Sequence, residues 1–231
     1  MDQLESRYHE ITHRIEAARL EADRQDPVTL IAVSKTHSIE MIERLYGLGH
    51  RDFGENYAQE LAEKAVALRE SGCSEIRWHF LGHLQGNKVK AILPYVAVIH
   101  SIDSEKLAQE VAKRWASMNT GRKLDVFLEV NIDREPSKTG LGPENAPVMA
   151  RRFNSLPELN LLGLMCIPNA PIGGEIQRAS FKRTRELEAA CRPMSHGHLS
   201  MGMTQDFEDA IREGSTHVRV GTAIFGSRAA R

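Results

Sequence analysis

The sequence predicts an α/β protein, a single (β/α)8 TIM barrel with an extra N-terminal helix, and three observations lead there. Short apolar segments alternate with amphipathic ones along the whole chain, the pattern of parallel strands joined by helices. The apolar segments number eight, which favours a closed barrel over an open doubly wound sheet. The length, 231 residues, is near the short end for a barrel that takes about 250 residues, so the reading is one domain over residues 1–231.

In chain order, residues 2–24 read as a helix, with Leu4, Tyr8, Ile11 and Ile15 at three- and four-residue spacing and charges between them. The stretch "DPV" at 26–28 ends it. The expected strand segments are 29–35, 50–56, 76–82, 95–103, 124–131, 159–167, 197–203 and 217–226. Between them, helices are expected over 38–48, 57–71, 85–93, 104–118, 144–155, 175–192 and 205–213. Ser38, Ser104 and Thr204 stand where N-caps belong, each with an acidic residue in the following turn. The stretch "APIGGE" (170–175) is the most loop-like insertion. No GxGxxG follows the first strand, which counts against a dinucleotide-binding Rossmann unit.

Composition excludes several classes. Lys and Arg number 30 against 31 Asp and Glu, so neither nucleic acid nor an anionic membrane is indicated as a partner. The N-terminus is charged from its second residue and lacks a signal-peptide core. No stretch approaches the roughly 18 apolar residues of a membrane span. Cys73, Cys166 and Cys191 are widely spaced and odd in number, which fits a reducing cytoplasm and not a disulfide framework.

In a barrel the active site sits at the C-terminal ends of the strands. Lys35 ends the first. It shares strand parity with Ile31 and Val33, so a barrel interior filled by those two leaves Lys35 pointing into the mouth. The ends of strands seven and eight read "SMGMT" and "GTAIFG". Small residues there let backbone N–H groups approach an anion, Ser200 and Thr222 add hydroxyls, and Thr204 opens a helix. An inward lysine opposite a phosphate cradle suits either a sugar phosphate or pyridoxal 5′-phosphate, whose aldehyde forms an imine with lysine. Arg219, beside the phosphate loop, suits a pyridine nitrogen: a guanidinium stays protonated and would donate to an unprotonated ring. A phosphate or a carboxylate is its other natural partner.

The motifs "AVSKTHS", "FGENYAQE", "WHFLGHLQGNK", "HSIDS", "GLMCI", "LSMGMTQDFEDAI" and "THVRVGTAIFG" occur in order between residues 28 and 226. Together they closely resemble the pyridoxal-phosphate homeostasis protein family, which has the alanine racemase N-terminal barrel fold. The resemblance implies that Lys35 is the imine lysine and that Asn56 and His79 lie around the cofactor ring. It implies that Ser200, Met201 (through its backbone), Gly221 and Thr222 hold the phosphate, and that Arg219 faces the ring nitrogen. It also implies a carrier that buffers and delivers pyridoxal 5′-phosphate, with effects on amino-acid and keto-acid balance and without robust catalysis. Other B6 vitamers and, transiently, apo enzymes are the implied partners. Many members have lysine two positions after the imine lysine, where this chain has His37, and many bacterial members end in lysines where this chain ends "GSRAAR". Lys138 in "EPSKTGL" matches a family lysine.

Two other readings remain open at this level, an amino-acid racemase and a sugar-phosphate or aldolase-like enzyme. A racemase needs a second acid/base on the opposite face of the substrate; in barrel racemases a tyrosine of a separate C-terminal domain supplies it across a dimer. This chain stops a few residues after strand eight, and Tyr8, Tyr46, Tyr57 and Tyr95 offer no evident substitute; a monomer without turnover is the expectation. His79 with His83 and His196 with His198 have spacings that a metal uses, but no further ligand completes either set, so no metal site is expected. Phe53, Trp78 and Phe80 read as packing residues. The charged run over 182–188 reads as a solvated helix face, and Cys166 has no neighbour in sequence that marks a nucleophile.

Overall fold

Eight parallel strands close into a barrel in sequence order in the computed structural model, which describes residues 2–168 and 174–227. They are β1 (Thr29–Val33), β2 (Asp52–Glu55), β3 (Arg77–Phe80), β4 (Val96–Ile102), β5 (Leu124–Glu129), β6 (Leu159–Met165), β7 (His198–Ser200) and β8 (His217–Val220). The last strand returns to the first, with Ile31 opposite Arg219 and Ala32 opposite Val220. Each strand lies inside the apolar segment expected for it, and the predicted (β/α)8 barrel is the observed fold. Among the described residues no helix is long and apolar enough to cross a membrane.

The helices are α1 (Gln3–Glu21), α2 (Ile39–Gly47), α3 (Ala58–Glu70), α4 (Val89–Ile92), α5 (Glu105–Ser117), α6 (Ala146–Arg152), α7 (Glu175–Ala189), α8 (Phe207–Arg212) and α9 (Thr222–Phe225). The extra helix α1 is capped by Asp2, whose carboxylate accepts the Leu4 N–H at 3.2 Å. It buries Leu4, Ile11, Ile15 and Ala18. Arg14 pairs with Glu208 on α8 at 2.7 Å, and Arg7 donates to the Ile224 carbonyl of α9 at 2.8 Å. Ser104 caps α5 through the Leu107 N–H at 3.3 Å. Ser38 precedes α2 but makes no side-chain cap bond to its backbone.

Four helical expectations change. The segments 85–93 and 144–155 are not continuous helices: each begins with a 3-10 turn, and α4 and α6 are short. Pro94 stops the first, because a proline has no N–H to donate back to the preceding turn; Pro143 and Pro147 sit at the turns of the second. The helix expected over 205–213 starts only at Phe207, so Thr204 is not its cap. Asp206 takes the Met203 N–H instead, at 2.5 Å. The delay comes from Gly202, whose φ of +92° turns the chain sharply and whose Cβ, if it had one, would stand 2.6 Å from Ala210 Cβ. The segment 217–226 ends as strand at Val220 and continues as the unexpected α9.

The charged run over 182–188 is solvated only in part. Its helical period turns Thr184 and Glu188 inward, where both are buried. Glu188 there accepts from the Ser195 hydroxyl and from Arg192 Nε. Arg183 and Arg185 face outward and pair with Asp133 and Glu213. Of the insertion "APIGGE", residues 170–173 lie outside the described residues.

An apolar shell between strands and helices forms the core. Phe53, Trp78 and Phe80, read as packing residues, are buried in it, with Phe181 and Phe207 among its larger members. Burial of this kind contributes roughly 25 cal/mol per Å² of apolar surface. Inside the barrel the composition is different. Val98, Phe127 and Met165 form a small apolar cluster there, and around them stand His79, His100, Ser200, His217 and Arg219, all buried.

Candidate functional site

At the C-terminal mouth a cleft of about 230 Å³ opens, lined by Lys35 on one side and by Arg219, Gly221 and Thr222 on the other. Lys35 sits just past β1, in register with the wall the sequence assigned to it: Ile31 is fully buried and Val33 lines the cleft beneath it.

The turn that presents Lys35 is held from below by a buried lysine. Lys64 of α3 donates to the Ser34 carbonyl at 2.8 Å, to Glu55 at 2.8 Å and to Glu60 at 2.7 Å. The Ser34 hydroxyl donates to Glu55 at 2.8 Å, and Glu60 accepts the Thr36 N–H at 2.5 Å. Thr36 adopts φ +65°, a strained value for a β-branched residue. Both neighbours of Lys35 are therefore fixed by one charged cluster, which leaves the intervening side chain directed at the mouth. Burial pushes the Glu55 carboxyl up despite the Lys64 ammonium beside it.

Asn56 lines the cleft next to this cluster. Gly82 packs on its backbone so closely that a Cβ would stand 2.0 Å from the Asn56 carbonyl oxygen. His37 also lines the cleft, and its ring stacks on Phe225 of α9 at 4.8 Å and 19°.

Across the cleft, the turns after β7 and β8 contribute Met203, Thr204, Gly221 and Thr222. As the first residue of α9, Thr222 has a backbone N–H with no acceptor inside its helix. Ser200 and Met201, expected here, stand lower. Ser200 is fully buried in the barrel, where its hydroxyl meets Arg219 and His100. Met201 is fully buried too, and its N–H donates to the His217 carbonyl at 3.2 Å. The strand pleat explains the shift: β7 ends at Ser200 with that side chain inward, and the chain reaches the mouth only after the Gly202 turn. His79 is likewise fully buried beneath the cleft and does not line it.

Arg219 connects the two levels. It lines the cleft, donates to Ser200 Oγ at 2.8 Å and donates to the Cys166 carbonyl at 3.0 Å. Below it the contacts continue inside the barrel. Ser200 Oγ lies 2.8 Å from His100 Nδ1, His100 Nε2 lies 2.9 Å from His79 Nδ1, and His79 Nε2 lies 2.9 Å from Asp52. Burial holds His79 and His100 below the ordinary histidine range, and it pushes His217 down to about 3.

The alanine racemase N-terminal domain family matches residues 7–229 of this chain. The pyridoxal phosphate homeostasis protein of Pseudomonas aeruginosa is 41% identical over 221 residues, 94% of this chain and 93% of that protein. The protein of the same name from Homo sapiens is 37% identical over 233 residues, 94% of this chain and 84% of its own length. The chain belongs to the pyridoxal phosphate homeostasis protein family. The structure of PipY of Synechococcus elongatus with PLP bound matches this homeostasis-family barrel at a TM-score of 0.81 and 33% identity, covering 94% of this chain and 100% of that one. Alanine racemase from E. faecalis shares the fold alone, at a TM-score of 0.67 and 16% identity over 94% of this chain and 58% of that one.

Several residues of this homeostasis-family barrel escaped the sequence reading. His100, Asp52, Glu55 and Lys64 were not singled out, yet they build the support beneath Lys35 and Arg219. One signal was present for His100: a histidine inside the apolar run "VAVIHSI" is a polar residue on a buried strand. The other histidines go to local partners. His83 Nδ1 lies 3.3 Å from Asp103, and His196 Nε2 lies 2.7 Å from Asn160. Among the described residues no three metal-ligating side chains cluster. Lys138 donates to the Ile167 and Pro168 carbonyls at 3.2 and 3.0 Å, at the edge of the cleft. Cys166 is buried, and burial pushes its thiol up to about 11, which suits packing and not nucleophilic attack.

Proposed function

We propose that this protein holds pyridoxal 5′-phosphate in the cleft and buffers or delivers it, without turning over a substrate. The observation that carries the reading is one cleft that brings together Lys35, Arg219, Thr204, Gly221 and Thr222. When bound, the cofactor supplies an aldehyde that condenses with an amine and loses water. In this chain Lys35 is the amine. Arg219 donates to the ring nitrogen, and because a guanidinium cannot accept, that nitrogen stays unprotonated. Gly221 and Thr222, with Thr204 facing them, hold the phosphate through backbone N–H groups and hydroxyls. Asn56, Met165 and Ile167 line the cleft and would border the ring, the last two as apolar wall. Ser200, Met201 and His79 act from beneath and not by contact. The structure of PipY with PLP bound supports the same ligand.

The carrier reading, as against a racemase, rests on the cleft lining. Among the described residues its titratable side chains are Lys35 and His37, on one turn, and Arg219, with no tyrosine and no carboxylate. A racemase needs acid/base groups on two opposite faces. The same reading makes the protein a cytoplasmic monomer that meets apo enzymes only transiently; sedimentation at several concentrations checks the state.

The test is a titration of the purified chain with pyridoxal 5′-phosphate, read by visible absorbance. The wild-type chain should turn yellow with one equivalent, and Lys35→Ala should lose the band. A wild-type chain that stays colourless overturns the proposal, and racemisation of an amino acid at ordinary enzymatic rates overturns its carrier half.

A further inference from the structure

Arg219 is buried, and among the described residues no carboxylate lies within ion-pair distance of it. A charge so placed is costly unless its donors are met by acceptors. Two of them are, at Ser200 Oγ and the Cys166 carbonyl.

A guanidinium only donates, so Ser200 Oγ accepts from Arg219. Its single hydroxyl proton then goes to His100 Nδ1, 2.8 Å away. With Nδ1 accepting, neutral His100 carries its proton on Nε2 and donates it to His79 Nδ1 at 2.9 Å. His79 in turn carries its proton on Nε2 and donates to the Asp52 carboxylate at 2.9 Å. An ionised carboxylate only accepts, so the sequence of donors ends there without a conflict. The opposite direction is closed at Asp52: Ser200 Oγ could accept from Arg219 and His100 together, but His79 Nε2 would then face an ionised carboxylate with no proton between them. Asp52 also meets Arg77 at 3.3 Å, near the N-terminal end of the barrel.

We propose that Asp52, His79, His100 and Ser200 form a one-way hydrogen-bond column that positions Arg219 in the cleft, with both histidines locked as neutral Nε2–H tautomers. The inference rests on the reading of the cleft as a pyridoxal 5′-phosphate site. The four are positioning residues: they touch Arg219 or one another, and none but Arg219 lines the cleft. Aligned bonds between a cation and an anion polarise one another in a medium of low dielectric. The column thereby links the buried guanidinium to Asp52, in addition to Asp206 and Glu129, whose charges act on it through space, without placing a carboxylate beside the ring nitrogen, where a protonated acid would donate and an ionised one would favour a protonated ring.

The rest of the interior keeps the column dry and in register. The His100 ring stacks on Phe127 at 4.6 Å, and His217 stands edge-on to the same ring at 5.1 Å. His217 approaches His79 and His100 at 6.4 and 6.2 Å between ring centres, and each ring disfavours a proton on the others.

The column is tested by its tautomers on the cofactor-free chain labelled with 15N-histidine. Long-range 1H–15N correlation should show His79 and His100 protonated at Nε2 alone, unchanged from pH 8 to pH 6. An Nδ1–H form or an imidazolium at either residue overturns the proposal, and the wild-type spectrum decides this without any variant. Asp52→Asn should release the lock at its accepting end, giving mixed tautomers at both histidines, whereas Ser200→Ala should leave both protonated at Nε2. In binding, Ser200→Ala should weaken pyridoxal 5′-phosphate and phosphate-free pyridoxal by the same factor, about tenfold, the loss of one charge-assisted hydrogen bond. A loss confined to the phosphorylated compound would make Ser200 a phosphate contact and overturn the positioning role. If neither compound binds the wild-type chain, the cleft reading fails, and the tautomers still judge the column.

Discussion

The two sides of the barrel wall obey different rules. Outside it, Phe53, Trp78, Phe80, Phe181, Phe207 and their neighbours make an apolar layer against the helices. Inside it, Asp52, His79, His100, Ser200 and Arg219 make a connected polar one around three apolar residues. The same strands supply both, because alternate side chains point to opposite faces. The outer layer supplies stability and tolerates any filling of the right volume. The inner layer stabilises less, since buried polar groups gain little over water. Its return is the fixed direction of Lys35 and Arg219.

The outer layer should break with the largest effect. Phe53→Ala deletes a fully buried ring and should cost about 3–5 kcal/mol of unfolding free energy. Denaturant titration measures it. The folded fraction should still bind pyridoxal 5′-phosphate with wild-type affinity, and a changed affinity would mean that the two layers are not separable in this way.

The inner layer should show itself in acid. His217 has its ordinary value of 6.5 in the unfolded chain and about 3 in the folded one. Below 6.5 the unfolded chain takes up a proton that the folded chain refuses, so this contribution to stability falls as pH drops towards 3. Between pH 7 and pH 5 the loss is about 2 kcal/mol for one such histidine. Stability curves of the wild-type chain and His217→Gln, compared across that range, isolate it: the variant should have the flatter dependence. Equal slopes would place the His217 proton elsewhere.

The smallest effect belongs to the mouth, where His37 stacks on Phe225. His37→Ala should change stability by about 1 kcal/mol or less and affinity for pyridoxal 5′-phosphate by less than about tenfold. A loss comparable to that of Lys35→Ala would make His37 part of the bond-forming machinery.

The same contrast explains what was readable in the sequence. Hydrophobic periodicity reports the outer layer, so all eight strand segments and the parity of Ile31, Val33 and Lys35 were legible. Turn chemistry was legible only in part: Gly202 and Pro94 moved helix ends by a few residues and displaced Thr204 from its cap. Lys35, Asn56, Arg219, Gly221 and Thr222 line one cleft. Ser200, Met201 and His79 do not, because whether an inward residue reaches the mouth or stops one layer below depends on where each strand ends. Lys64 and Glu55 were invisible for another reason. A lysine in an amphipathic helix and a glutamate at a strand end look solvated until the barrel brings α3 beneath the turn at Ser34.

The central claim, that this chain carries pyridoxal 5′-phosphate on Lys35, is tested most directly by borohydride reduction of the loaded protein followed by peptide mass mapping. One pyridoxyl adduct is expected, on the peptide containing Lys35, and none on Lys35→Ala. An adduct centred on another lysine such as Lys138, or equal labelling of the wild-type chain and Lys35→Ala, would contradict it.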